Sequence, residues 1–212
     1  MATARTWLLV AAEEREFKGI LKRFGKSSKL EWTAEFAREA DWRGDRWLMV
    51  ANGPGPGLVE QALERKVEVD GIISTGFCGA LDPALRVGDI VLGKPGEILS
   101  MDHVAVTAAE KSELRAKTGA AAIEMESAAV AKKAADWGVL FRCIRAVSDR
   151  AGEDMPLDFN LYRDAAGRFS RKRIALAAIA RPFTAVPALL RLDRNCSIAA
   201  RSLGDFFADS RL

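Results

Sequence analysis

The chain has a single histidine, His103, among its 212 residues. Neither a zinc cluster built on several imidazoles nor a Ser-His-Asp triad that draws on a second histidine is therefore available. A Gly-x-Ser-x-Gly elbow is missing too, which sets aside an α/β-hydrolase. Only three cysteines occur, Cys78, Cys143 and Cys196. They are odd in number and widely spaced, and two sit in apolar strand-like contexts, a pattern of reduced thiols that points to the cytoplasm. The apolar run Thr6 to Ala12 is short and is followed at once by Glu13 and Glu14, unlike a signal-peptide core, so secretion is not expected. In the C-terminal tail Arg181, Pro182 and Pro187 interrupt the apolar residues and argue against a spanning segment. An excess of one charge is also lacking. Thirty-two basic residues against 29 acidic ones leave +3, spread out rather than grouped with aromatics, so nucleic acid is not an expected partner.

What is present is enough apolar material, 49% of the chain, for a sizeable core. Trp7 to Ala11 reads as a buried strand, and Glu13 to Phe24 as a helix with Phe17, Ile20 and Leu21 on one face. Leu30 to Trp42 and Arg46 to Ala51 read as antiparallel strands joined through Arg43-Gly44-Asp45. Asn52-Gly53-Pro54-Gly55-Pro56-Gly57 then breaks the chain before a helix at Leu58 to Arg65. This glycine-proline run lacks the Gly-x-Gly-x-x-Gly spacing, and two of its residues cannot donate, so it reads as a turn rather than a phosphate cradle. Strands are expected at Gly71 to Thr75, Val87 to Leu92 and Glu97 to Leu99. A helix from Thr107 to Thr118 is opened by Thr107 and closed by Gly119.

Two short apolar runs end in acids: Ile123-Glu124-Met125-Glu126 and Arg145-Ala146-Val147-Ser148-Asp149. Between them Ala128, Ala129, Val130, Ala134 and Ala135 recur at helical spacing. The unit reads as strand, helix, strand, and a right-handed crossover would bring both acids to one rim of the sheet. The expected fold is a three-layer α/β domain over residues 1–157, with a mixed sheet flanked by helices and a helical C-terminal appendage over 158–212.

Glu124-Met125-Glu126-Ser127-Ala128-Ala129 followed by Arg145-Ala146-Val147-Ser148-Asp149 resembles the purine nucleoside phosphorylase and nucleosidase superfamily. Ser74-Thr75-Gly76-Phe77-Cys78-Gly79-Ala80 resembles its Gly-rich turn. Leu8 to Phe17 is similar to the first strand and helix start of the methylthioadenosine and adenosylhomocysteine nucleosidases. The tail Arg181 to Leu192 is similar to that of hopanoid-associated nucleoside phosphorylases. Such a tail reads either as helices covering the sheet or a partner subunit, the favoured reading, or as an interfacial membrane contact.

The resemblance implies cleavage of an N-ribosidic bond of an adenine nucleoside, a reaction whose cation-like sugar is served by paired carboxylates. Asp149 is implied as the general acid at the purine, with Arg145 and Ser148 orienting it, in an apolar setting that desolvates the carboxyl. Glu126 is implied at the ribose hydroxyls, with Met125 along the sugar. Glu13, Glu14 and Glu16 all suit a helix start. Alignment through Val10-Ala11-Ala12 selects Glu16 as the residue that positions the nucleophile. Gly76, Phe77, Cys78 and Gly79 are implied to line the sugar and nucleophile side, and Asp102, His103 and the main chain of Val104 the base side.

Two departures from the family pattern stand out. Phe77 replaces a small hydroxyl residue that would contact phosphate or sugar, and the connection from Asp89 to Met125 is short. Without that hydroxyl or an arginine clamp, hydrolysis is expected over phosphorolysis, with phosphate kept as a candidate co-substrate and no other cofactor or metal expected. The alternatives are an impaired nucleoside-binding or scaffold protein, and a phosphorylase acting on an adenosyl lipid. A homodimer is what the resemblance implies for assembly.

Overall fold

The computed structural model describes residues 4–93 and 96–210. Along the chain run β1 (Thr6–Ala11), a 3-10 turn (Glu14–Phe17), α1 (Lys18–Phe24), β2 (Ser28–Lys29), β3 (Phe36–Trp42), β4 (Asp45–Ala51), α2 (Pro56–Ala62) and β5 (Gly71–Ala80). β6 (Ile90–Gly93), β7 (Ile98–Ser100), α3 (Ala108–Thr118), β8 (Ala122–Glu124), α4 (Ser127–Trp137) and β9 (Leu140–Asp149) follow, and then α5 (Arg171–Ile179) and α6 (Ala185–Asp209).

β1 alternates between two cores, as a strand buried on both faces must. Trp7 and Leu9 pack with Phe17, Ile20, Trp47 and, from α6, Ala199, Leu203 and Phe207. Leu8 and Val10 pack on the other face with Val59 and Leu63 beside α2 and with Val130 and Trp137 of α4. The result is the expected mixed sheet between helical layers. β1 pairs in parallel with β4 and β5, and β5 with β9, while β3, β6 and β8 join antiparallel. Arg43 and Gly44, both at positive φ, make the tight hairpin between β3 and β4.

Three expectations need correcting. The family resemblance implied a Gly-rich turn at Gly76-Phe77-Cys78-Gly79, yet β5 runs through it to Ala80, because parallel pairing with β9 continues there and leaves no room for a reversal. The unit from β8 to β9 is not a parallel crossover. β8 pairs antiparallel with β5 and β9 parallel, so β5 lies between the two acid-bearing strands. Pro187 does not interrupt its helix, since it lies in the first turn of α6, where its absent N–H has no partner to lose.

α6 crosses α1 at a glycine pair. A Cβ on Gly19 would fall on the carbonyl of Ala200, and one on Gly204 on the backbone of Gly19. Gly204→Val should therefore force the helices apart at a cost of about 1–3 kcal/mol, lowering the thermal midpoint by roughly 2–10 °C. Melting followed by circular dichroism checks this, and an unchanged midpoint would show that the crossing has slack.

Candidate active site

β5 is the spine of the site, and its glycines make room for charged groups. Gly76 has φ +127, a conformation other residues rarely adopt, and a Cβ there would fall on Glu16 Oε1 and come within 3.0 Å of Arg145 Nη1. Opposite Gly79 the register with β9 slips, so that Ser148 becomes the extra residue of a bulge and Asp149 is re-aimed beside Gly79. A Cβ on Gly79 would lie 2.9 Å from Asp149 Oδ2.

Arg145 is wholly buried. Its Nη2 donates to Ser74 Oγ at 2.6 Å and to Glu124 Oε2, and its Nη1 lies 3.2 Å from Glu126 Oε2. Glu124 also accepts from the main-chain N–H groups of Glu126 and Ser127 and from Ser127 Oγ. It thus closes the N-terminus of α4 while neutralising the guanidinium, a placement the helix dipole favours. Glu126 Oε1 accepts from Gly55 N at 2.9 Å. Burial pushes the Glu126 carboxyl up to about 7, against the pull of Arg145 and reinforced by Glu124 and Glu16. Among the three helix-start acids, Glu16 is the buried one; its oxygens accept from Phe77 N at 2.6 Å and Glu13 N at 2.7 Å. Burial raises its pKa as well, opposed by Arg145.

Asp149 has a partner that no motif announced. Lys111, 1% exposed, places Nζ 2.5 Å from Asp149 Oδ2 and also donates to the carbonyls of Arg150 and Glu153. The expected apolar surroundings of Asp149 therefore give way to a buried ion pair. Ser148 Oγ donates to Asp149 Oδ1 at 2.8 Å, whereas Arg145 is engaged with Glu124 and Glu126 and does not orient Asp149. Lys111 was hidden because α3 is mostly polar. The available signal was its helical spacing with Leu114, which packs on the core.

Glu16, Phe77, Cys78, Gly79, Lys111, Met125, Glu126, Ser148 and Asp149 line one cavity of about 760 Å³. Met155, Phe159, Phe169, Ile174, Leu189 and Leu192 form an apolar wall. Phe77 lies under the Arg15 guanidinium, 5.8 Å away. Two base-side expectations change. Asp102 does not line the cavity; its carboxylate is 59% exposed and pairs with Arg163 at 2.9 Å. Val104 lines the cavity, but both its main-chain groups are bonded to the side-chain amide of Asn160. His103 lines the cavity with Nε2 3.2 Å from Glu110 Oε1. The glycine-proline turn contributes more than a break in the chain, since Gly55 N holds Glu126.

The sequence model of the phosphorylase superfamily matches residues 36–95 and 94–180. The chain belongs to the phosphorylase superfamily. This superfamily member is 27% identical over 164 residues to a 5′-methylthioadenosine/S-adenosylhomocysteine nucleosidase of Shewanella sp., covering 54% of this chain and 71% of the relative. Its fold is shared with solved structures at low identity. A Helicobacter pylori methylthioadenosine nucleosidase variant holding 5′-methylthioadenosine superposes with TM-score 0.70 at 14% identity, over 96% of each chain. An S-adenosylhomocysteine nucleosidase of Streptococcus pyogenes gives 0.70 at 16%, over 100% and 99%. The futalosine hydrolase of Helicobacter pylori gives 0.68 at 14%, over 96% of each chain.

Two predictions follow from the charges in this cavity. Breaking a buried ion pair from one side costs about 3–5 kcal/mol, so Lys111→Met should be strongly destabilised, while the Lys111→Met/Asp149→Asn double variant recovers much of the loss. Urea unfolding of the four proteins in the cycle measures the coupling, and strict additivity would mean the pair is not formed. For Glu126, the folded carboxyl near 7 holds a proton that the unfolded chain, at its ordinary value of 4.5, has already released. This proton's contribution is complete below pH 4.5 and is lost as pH rises through about 7. Relative to wild type, Glu126→Gln should therefore gain stability from pH 5 to pH 8, by about 2–3 kcal/mol. A pH-independent difference would place the titration elsewhere.

Proposed function

We propose that this chain hydrolyses the N-glycosidic bond of an adenine nucleoside. The observation that carries the reading is that Glu16, Glu126 and Asp149, from three separate parts of the chain, line one cavity. As the C1′–N9 bond breaks, its electron pair moves into the purine, which must receive a proton. Asp149, fed by the Lys111 ammonium, supplies it at N7. Glu126 accepts from the ribose hydroxyls and, when ionised, faces the developing cation. Glu16 draws a proton from the attacking water, whose oxygen bonds to C1′. Its raised pKa suits that task better than an ordinary carboxylate would. The apolar wall suits an apolar 5′ substituent, and the nucleosidases that this chain is similar to support the substrate class.

Water is favoured over phosphate by charge. The buried ionisable groups in and behind the cavity wall are Glu16, Glu124, Glu126 and Asp149 against Lys111 and Arg145. Both buried cations are already committed to carboxylates, and Arg15, which also lines the cavity, is paired with Glu13, so the positive charge left for a phosphate anion is that of the exposed Lys18 and Arg171.

Adenine release from methylthioadenosine, adenosylhomocysteine and adenosine, with and without phosphate, tests this. Release that phosphate does not accelerate is expected, and Asp149→Asn should lower kcat/KM by about 100-fold or more, the scale of a lost general acid. Phosphate-dependent release would make the enzyme a phosphorylase. Adenine binding without release from any of the three would make it a binding protein.

A further inference from the structure

The outer face of α5, the turn after it and the start of α6 carries a combination found nowhere else among the described residues. Leu176, Ile179, Phe183 and Leu190 are 70, 69, 92 and 63% exposed. Half of the large apolar side chains that lie exposed among the described residues are thus gathered within fifteen residues. Exposed cations interleave with them: Lys172, Arg181, Arg191 and Arg194. Lys172, Leu176 and Ile179 share one face of α5 at i, i+4 and i+7, and Leu190 and Arg194 share one face of α6. Between Asp164 and Asp205 the chain has eight basic residues and one acid, Asp193, although its total charge is only +3.

Packing does not explain this face. The two helices are anchored from the opposite side, where Ala178 and Ala185 are buried with Leu157, and Ile174, Leu189 and Leu192 line the cavity. The outward side chains are left over, and their pattern is that of a surface seated in an interface: apolar residues to enter it and cations to meet its charge. No described helix is long and apolar enough to cross a membrane, so the contact would lie along the surface. We propose that this face docks on an anionic lipid bilayer, with Leu176, Ile179, Phe183 and Leu190 entering the boundary between headgroups and acyl chains. A second copy of the chain would cover the same apolar residues, but a two-fold contact sets each cluster of cations against its own copy without acids to match. Anionic headgroups supply the missing charge. The inference stands apart from the catalytic reading, although the same helices wall the cavity.

Sedimentation of the full chain with vesicles of phosphatidylcholine alone, or mixed with phosphatidylserine, tests it. Binding to the mixed vesicles should be at least about fivefold tighter, the effect of a single cation near such a surface, and should weaken with added salt. Two variants at exposed positions, Leu176→Ser/Phe183→Ser and Lys172→Glu/Arg181→Glu, should each lose this binding while keeping the wild-type melting curve. Failure to bind either vesicle overturns the proposal, as does binding that both variants retain. A dimer that the serine variant converts to monomer in light scattering, with no vesicle binding by the parent, would assign the face to a second copy. Adenine release from a water-soluble nucleoside should be unchanged in both variants, so a negative vesicle result leaves the enzyme reading untouched.

Discussion

A guanidinium with no exposed surface holds the site together. Arg145 stays charged at any pH the protein meets, and a buried charge is tolerated only with close counter-charges. Glu124 and Glu126 at the junction of β8 and α4 supply them, with Glu16 from the turn after β1 close by, so two distant stretches of chain are drawn to one strand of the sheet. Gly76 follows from the same requirement, because any side chain there would separate Glu16 from Arg145. The antiparallel course of β8 follows as well. Its carboxyl end points back along β5 toward Gly76, which delivers Glu124 and Glu126 to the guanidinium; a parallel β8 would carry them away from it.

Asp149 and Lys111 form a second charge pair farther along β9. The two nodes are four residues apart on β9 but, because of the bulge, face positions only three apart on β5, about 10 Å of extended strand, which is the scale of a nucleoside. In the mechanism we propose, one node serves the sugar and the other the base without sharing a counter-ion. The bulge at Ser148 belongs to this arrangement, since it turns Asp149 toward the cavity while Ser148 Oγ holds one of its oxygens. α3 occupies the short connection between β7 and β8 and brings Lys111 to the other oxygen, so the segment that looked like a loss contributes a buried charge.

The layers of the fold and the principal acids were legible because they depend on local pattern. Buried strands show as apolar runs, α3 is bracketed by Thr107 and Gly119, and Asp149 and Glu126 each follow such a run. Pairing direction was not legible, because β8 is three residues long and nothing in Ala122-Ile123-Glu124 distinguishes a parallel from an antiparallel neighbour. Gly76 and Gly79 misled for a physical reason: glycines that serve turns look the same as glycines that admit a carboxylate beside a strand. Asp102 and Val104 looked available by position, yet Arg163 and Asn160, sixty-one and fifty-six residues later, bind them. Long-range partners of that kind leave no local trace.

The buried charges also bear on the order of events in catalysis. With Arg145 shared between Glu124 and Glu126, and Glu16 bonded only to main-chain N–H groups, the cluster around the guanidinium holds more carboxyl groups than cations. Burial raises the pKa of both Glu126 and Glu16, and the neighbouring Glu124 and Glu16 add to it at Glu126. A cation forming at C1′ would reverse the balance, since positive charge arriving there makes ionisation of both carboxyls easier. Glu126 then faces that charge as the carboxylate, and Glu16, in its proposed role, is a weaker base at that moment. In the mechanism we propose, proton transfer from water to Glu16 is therefore favoured only after the nucleophile has begun to quench the cation, which places bond breaking ahead of water attack. The same electrostatics would bind a neutral substrate weakly and its cation-like transition state tightly, the differential on which catalysis depends.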